Sequence, residues 1–181
     1  MKLSLLFTFI LIIGCTSSKK IVEATPESRA LDELVANKKF MIESNWASPR
    51  ASTSLNALSN SGLLGAGNSS GSINLIGNSN FLKIEGDTIS AELPYYGERQ
   101  MGGGYTSEAG VKFKGIPKKY EAIKDNTSQR NIITLQINNA TESYNITITL
   151  FPNWTSSIVI NSSQRTPISY QGNVLEIPEK K

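Results

Sequence analysis

The strongest constraint on this chain is a period of two. Ile133, Leu135 and Ile137 alternate with Thr134 and Gln136, and Tyr144, Ile146, Ile148 and Leu150 alternate with Asn145, Thr147 and Thr149. Successive side chains of a strand point to opposite faces, so this pattern builds a sheet with one dry face and one wet face. Thr, Ile, Val and Tyr suit such a half-buried, pleated surface.

Other runs extend the series. Residues 40–47 alternate loosely. Phe81-Leu82-Lys83-Ile84-Glu85, a Gly86-Asp87 break and Thr88-Ile89-Ser90-Ala91-Glu92-Leu93 describe a β-hairpin. Val111 and Phe113 alternate with Lys112 and Lys114; residues 119–124 and 158–160 follow, and Ile168-Ser169-Tyr170 closes the series before Gly172-Asn173. No helical stretch is long enough for parallel crossovers. The expectation is a mainly β fold: a single antiparallel meander of about eight or nine strands, forming a partly open, lipocalin-like barrel with one N-terminal helix. That helix is predicted over residues 26–39, with Thr25 as N-cap and Pro26 at its first position. Its apolar Ala30, Leu31, Leu34 and Val35 share a face, and its mixed charges fit a cap on the barrel better than a membrane-surface helix. Residues 51–80, rich in Ser, Asn and Gly, read as a long irregular loop with a short strand over 72–75.

The N-terminus carries a second signal. After Met1-Lys2, residues 3–13 are apolar apart from Ser4 and Thr8, a stretch too short to span a bilayer, which takes about 20 residues. It reads as the core of a secretory signal. It ends at Ile12-Ile13-Gly14-Cys15, ahead of polar Thr16-Ser17-Ser18-Lys19-Lys20, and this resembles a bacterial lipobox. The expected organisation is a lipoprotein signal peptide over 1–14, a polar tether over 15–25 starting at lipidated Cys15, and a single β domain over 26–178. By resemblance to lipoprotein sorting, Thr16 after the cysteine implies the outer membrane, and the lack of an acidic cluster there implies its periplasmic face.

Composition narrows the chemistry. There is no His and one Cys in 181 residues, which removes His-based acid–base catalysis, Ser–His nucleophiles, His-ligated metals, disulfides and thiolate metal clusters. A net charge of +3, spread along the chain, is too small for a nucleic-acid binder. The Gly65–Gly71 stretch misses dinucleotide spacing, and no catalytic residues, cofactor or metal are expected. Glu85 with Asp87, and Glu92 with Glu98, are the carboxylate pairs a glycoside hydrolase would need; the first pair only flanks a turn.

The best place for function is Glu92 to Gly104. Pro94 ends a strand, and the loop beyond it presents Tyr95, Tyr96, Glu98 and Arg99. Aromatic rings beside Arg suit a ligand or partner contact. The same residues also suit a structural corner in which a Tyr ring packs inward and its hydroxyl binds backbone. Trp46 and Trp154 are read as core or core edge.

Ser72-Ile73-Asn74-Leu75, Leu82-Lys83-Ile84-Glu85-Gly86-Asp87, Leu93-Pro94-Tyr95-Tyr96-Gly97, Gly102-Gly103-Gly104 with Val111-Lys112-Phe113, and Ile168-Ser169-Tyr170-Gln171-Gly172 occur in that order. In this the chain resembles domain-of-unknown-function family 4251, small lipoproteins of Bacteroidota-type bacteria. The resemblance implies a compartment and a β fold, and supplies no catalytic residues. The expected role is an outer-membrane-anchored, non-catalytic module binding a small apolar or amphipathic ligand, or alternatively a structural protein with a filled β core that contacts another envelope protein.

Overall fold

The computed structural model describes residues 22–100, 110–139 and 142–177. The expected signal peptide over 1–14, Cys15 and Gly102-Gly103-Gly104 lie outside the described residues.

Helix α1 (Pro26–Ala36) starts as its sequence requires: the Thr25 side chain accepts the Ser28 N–H at 3.2 Å, and proline occupies the first helical turn. Strands β1 (Lys39–Pro49), β2 (Ile73–Asn74), β3 (Phe81–Glu85), β4 (Thr88–Leu93), β5 (Val111–Gly115), β6 (Lys119–Asp125), β7 (Arg130–Asn139), β8 (Glu142–Leu150), β9 (Thr155–Ser162) and β10 (Ile168–Glu176) form one antiparallel sheet. Its order is β5-β4-β3-β1-β10-β9-β8-β7-β6, with β2 added to β1. This is an up-and-down meander rolled so that first and last strands pair, a half-open barrel as the alternation predicts.

The opening falls between β5 and β6, which are consecutive in the chain yet lie at opposite ends of the sheet order. Pro117, which has no N–H to give a ladder, sits in the link between them. Past it, the Lys118 N–H donates to Gln136 O at 2.8 Å and the chain pairs with β7 instead of β4. The Asn139 side-chain amide reaches Lys112 O at 2.6 Å across the seam.

Two expectations need correction. The segment 51–80 is not irregular throughout: Thr53–Asn60 forms a second helix, α2, whose N-cap Ser52 accepts the Leu55 N–H at 3.2 Å. Ser and Asn compete with backbone hydrogen bonds inside a helix, so composition masked it, but the same serine at the N-cap satisfies an orphan donor. The last strand also does not stop before Gly172-Asn173 but runs on to Glu176. Gly172 is there because β1 crowds it: a Cβ would meet the backbone oxygen of Glu43 at 2.0 Å.

The dry face fills the barrel. Phe40, Ile42, Leu82, Ile84, Leu93, Ile133, Leu135, Ile146, Ile148, Leu150, Ile158 and Tyr170 are all buried, and the Phe113 and Tyr144 rings touch with centroids 5.4 Å apart. Helix α1 closes one end. Leu31 and Val35 enter the core, the Trp154 indole N–H donates to Glu27 O at 3.1 Å, and Asp32 accepts from Lys124 at 2.6 Å and from Asn131 at 2.7 Å. Helix α2 lies at the opposite end, where Ser54 donates to Glu98 at 3.2 Å.

Candidate functional site

The loop after β4 folds back over the α2 end of the barrel and pairs with residues 164–166. Gln100 N–H donates to Gln164 O at 2.8 Å, and Thr166 N–H donates to Glu98 O at 3.0 Å. Tyr95 is tied into this ribbon. Its hydroxyl lies 3.0 Å from Thr166 O, 3.1 Å from Glu98 O and 2.8 Å from Thr166 Oγ1. The Arg165 guanidinium sits over the Tyr95 ring, 5.2 Å from its centroid. Gly97 allows the turn to close, since a Cβ there would meet the Tyr95 hydroxyl oxygen at 2.5 Å. Tyr170, from the core, donates to Pro94 O at 2.8 Å and fixes the start of the loop.

The other residues singled out from sequence take different places. Tyr96 is half-buried against the core. Glu98 is exposed, and its carboxylate accepts only the Ser54 hydroxyl among the described residues. Arg99 is half-buried and turns inward, with Nη2 3.4 Å from both Glu142 Oε2 and Gln164 Oε1. The structure thus brings Tyr95 and Arg99 into one cluster, seats Tyr96 on the core beneath, and leaves Glu98 at the rim.

The centre of that cluster is a pair that the sequence reading did not single out. Glu142 and Arg165 are 6% and 5% exposed, and Arg165 Nε donates to Glu142 Oε1 at 2.9 Å. Ser162 and Tyr144 also donate to Glu142, and Arg165 Nη1 donates to Gly110 O at 2.8 Å. Burial pushes the Glu142 carboxyl up, but these hydrogen bonds and the Arg165 charge outweigh it and hold it below the usual carboxylate range. Burial, and then the bond to Glu142, push the Tyr144 hydroxyl far up; burial does the same for Tyr170. The carboxylate therefore stays ionised and both phenols stay protonated through the neutral range, which suits a locked corner rather than a proton-transfer site. One sequence signal did point here. Glu142 falls on the same phase as Tyr144, Ile146, Ile148 and Leu150, where an inward carboxylate requires a cationic partner.

The carboxylates weighed for hydrolysis are engaged by lysines, Glu98 excepted, and Glu85 and Glu92, one from each pair, line the same wet-face groove. Glu85 bonds Lys83 at 2.8 Å, Asp87 bonds Lys38 at 2.8 Å, and Glu92 lies 3.7 Å from Lys112 on the wet face. Among the described residues, no group of three His, Cys, Asp or Glu side chains could hold a metal ion, and no helix is long and apolar enough to cross a membrane.

An open up-and-down barrel, sealed at one end by α1 and at the other by a buried Glu–Arg corner, defines the structural class. Residues 23–174 match the family model described as Domain of unknown function (DUF4251), and the chain belongs to that family. A crystal structure of a DUF4251 family protein from Bacteroides eggerthii shares the fold with a TM-score of 0.57 at 14% identity, over 83% of this chain and 87% of that one. No curated protein matches this chain.

Proposed function

We propose that this chain is a lipid-anchored, non-catalytic protein of the outer membrane's periplasmic face, with a barrel that serves as a rigid platform for another envelope component. One observation carries the reading: the dry face is filled by its own side chains, and the α2 end is closed by Glu142, Arg165 and Tyr95. A small apolar ligand held inside the barrel would have to displace that packing. Contact at the surface does not, so the platform is favoured over the container.

Geometry gives the platform a direction. The Val22 N–H donates to Thr127 O at 3.1 Å, so the described chain begins at the α1 end. Cys15 is seven residues earlier and reaches at most about 25 Å from there. A ten-residue strand such as β7 is about 33 Å long. A membrane holding Cys15 would thus lie nearest α1, with the opposite end facing away. That far end carries Glu98 and Arg99, together with exposed Leu58 on α2 and Leu63 just after it, the kind of apolar surface that protein partners cover.

The test is labelled palmitate incorporation and membrane fractionation of the full chain beside Cys15→Ala. Label and membrane recovery confined to the wild type are expected. Equal label in both forms, or wild-type protein in the soluble fraction, overturns the anchor and the orientation with it.

A further inference from the structure

A groove of about 470 Å³ runs over the wet face of β1, β10 and β9, far from the Glu142 corner. Trp46 stands on one side and Phe151 on the other, both half-buried. Its floor is made of short neutral side chains, among them Ser157, Gln171 and Asn173. No charged residue lines it. We propose that this groove binds a neutral oligosaccharide. The inference goes beyond the platform reading and does not depend on the lipid anchor.

Four observations carry it. First, the β1 ladder shifts register between Ser44 and Trp46, and a bulge of this kind re-aims the side chains that follow it. Trp46 is thereby set beside Gln171, its ladder partner, which in turn pairs with Ser157. Second, the two tryptophans differ. The Trp154 indole N–H is consumed by Glu27 O, whereas Trp46 makes no side-chain hydrogen bond among the described residues. The same holds for the side chains of Ser157, Gln171 and Asn173. Third, the outward phases of both floor strands are neutral: Ser157 on β9 and Gln171 and Asn173 on β10 point to the wet face, while Ser156 shares the buried phase of Ile158 and Ile160. Fourth, the volume lies in the range of small-ligand sites.

The lining selects the ligand class. With no charge in it, the groove offers nothing to an anion or a cation. Amides and hydroxyls between two aromatic rings match a sugar, which has hydroxyls at its edges and C–H faces that pack on rings. An extended peptide is disfavoured, because β10 and β9 are interior strands whose ladders are already paired on both sides. A second groove, of about 430 Å³ over β3, β4 and β5, makes the contrast: its Lys83, Glu85, Glu92 and Lys112 pair with one another and leave less to offer a ligand.

The experiment is isothermal titration of the full-length protein, held in a polyoxyethylene detergent that has no sugar headgroup, with chitohexaose and with maltohexaose. Saturable binding of at least one, with Kd of about 10 μM to 1 mM, is expected. Trp46→Ala should weaken it at least tenfold. The Gln171→Ala/Asn173→Ala double variant, on the exposed floor, should weaken it several-fold with Tm unchanged, which guards against misfolding of the tryptophan variant. Preference for chitohexaose supports the proposal and points to the N-acetylated sugars of cell-wall glycan; preference for maltohexaose supports it and points to free hexose oligomers. Absence of saturable heat with both up to about 10 mM overturns the proposal. So does binding that both variants leave intact.

Discussion

The guanidinium of Arg165 and the carboxylate of Glu142 meet at 2.9 Å with both side chains almost wholly withdrawn from solvent. Such a pair adds little over a well-packed apolar pair, but removing one partner strands the other charge in a poor dielectric. Glu142→Gln is expected to cost about 3 kcal/mol. For a domain of this size, that lowers Tm by roughly 6–12 °C. Thermal unfolding of the two forms at neutral pH measures it; a Tm within a degree of wild type would mean that water or a neighbouring group already compensates Arg165.

The same pair sets an acid limit. The Glu142 carboxyl is lower in the folded chain than in the unfolded chain, so the stabilisation is present above the ordinary carboxylate pKa of about 4.3 and is lost as pH falls through the lowered folded value. Urea unfolding from pH 7 down to pH 3 should show a falling acid limb in the wild type. Glu142→Gln has no proton to gain there, so the gap between the two curves should narrow with acid. Parallel curves would assign the acid limb to other carboxylates.

Tyr95 and Tyr96, adjacent in sequence, should respond differently to loss of a hydroxyl. Tyr95→Phe removes a group held by Thr166 and by the Glu98 carbonyl, and is expected to cost about 1–2 kcal/mol. Tyr96 forms no hydroxyl hydrogen bond among the described residues, so Tyr96→Phe should be neutral while Tyr96→Ala, which removes a ring packed on the core, should not. Denaturant midpoints of the three variants decide it. Equal losses for the two Phe variants would contradict the tie seen at Tyr95.

Much of this was legible before any coordinates. Period-two alternation is a local signal, so residues 133–150 announce β7 and β8 directly, and Thr25-Pro26 announces α1. The mouth is different, because its bonds join residues far apart in the chain: Glu142 meets Arg165, Arg99 meets both Glu142 and Gln164, and Tyr95 meets Thr166. Sequence placed Tyr95 and Arg99 at a loop after Pro94, but the partners that hold them have no local pattern of their own. The groove beside Trp46 was hidden for a related reason. Asn45 is an extra residue in the β1–β10 register, and a one-residue bulge resets which side chains share a face without altering composition.

The alkaline limit follows from two tyrosines. Burial raises the phenols of Tyr144 and Tyr170 far above their usual value of 10.0. A group whose folded pKa is raised contributes stability that is full below the unfolded pKa and lost as pH climbs toward the folded one. Stability should therefore decline from about pH 10 upward. Absorbance at the tyrosinate band should show part of the six tyrosines ionising in the native protein, with Tyr144 and Tyr170 following only on unfolding. Ionisation of all six in one reversible step, with the native fold intact by circular dichroism, would contradict their burial.

Gly172 tests whether the close approach of β1 and β10 is required. A Cβ there would meet Glu43 O at 2.0 Å and Ser44 Cα at 2.6 Å, both backbone atoms that no rotamer change can move aside. Gly172→Ala must push the first strand from the last at the pair that closes the meander, and is expected to cost about 3 kcal/mol or more. The bulge at Asn45 would shift as well, moving Trp46 relative to Gln171. Amide exchange over residues 42–46 and 170–174 reads both effects. Faster exchange confined to this stretch, with the β7–β8 ladder still protected, is the expected result, and unchanged protection across it would mean that the strands can part at little cost.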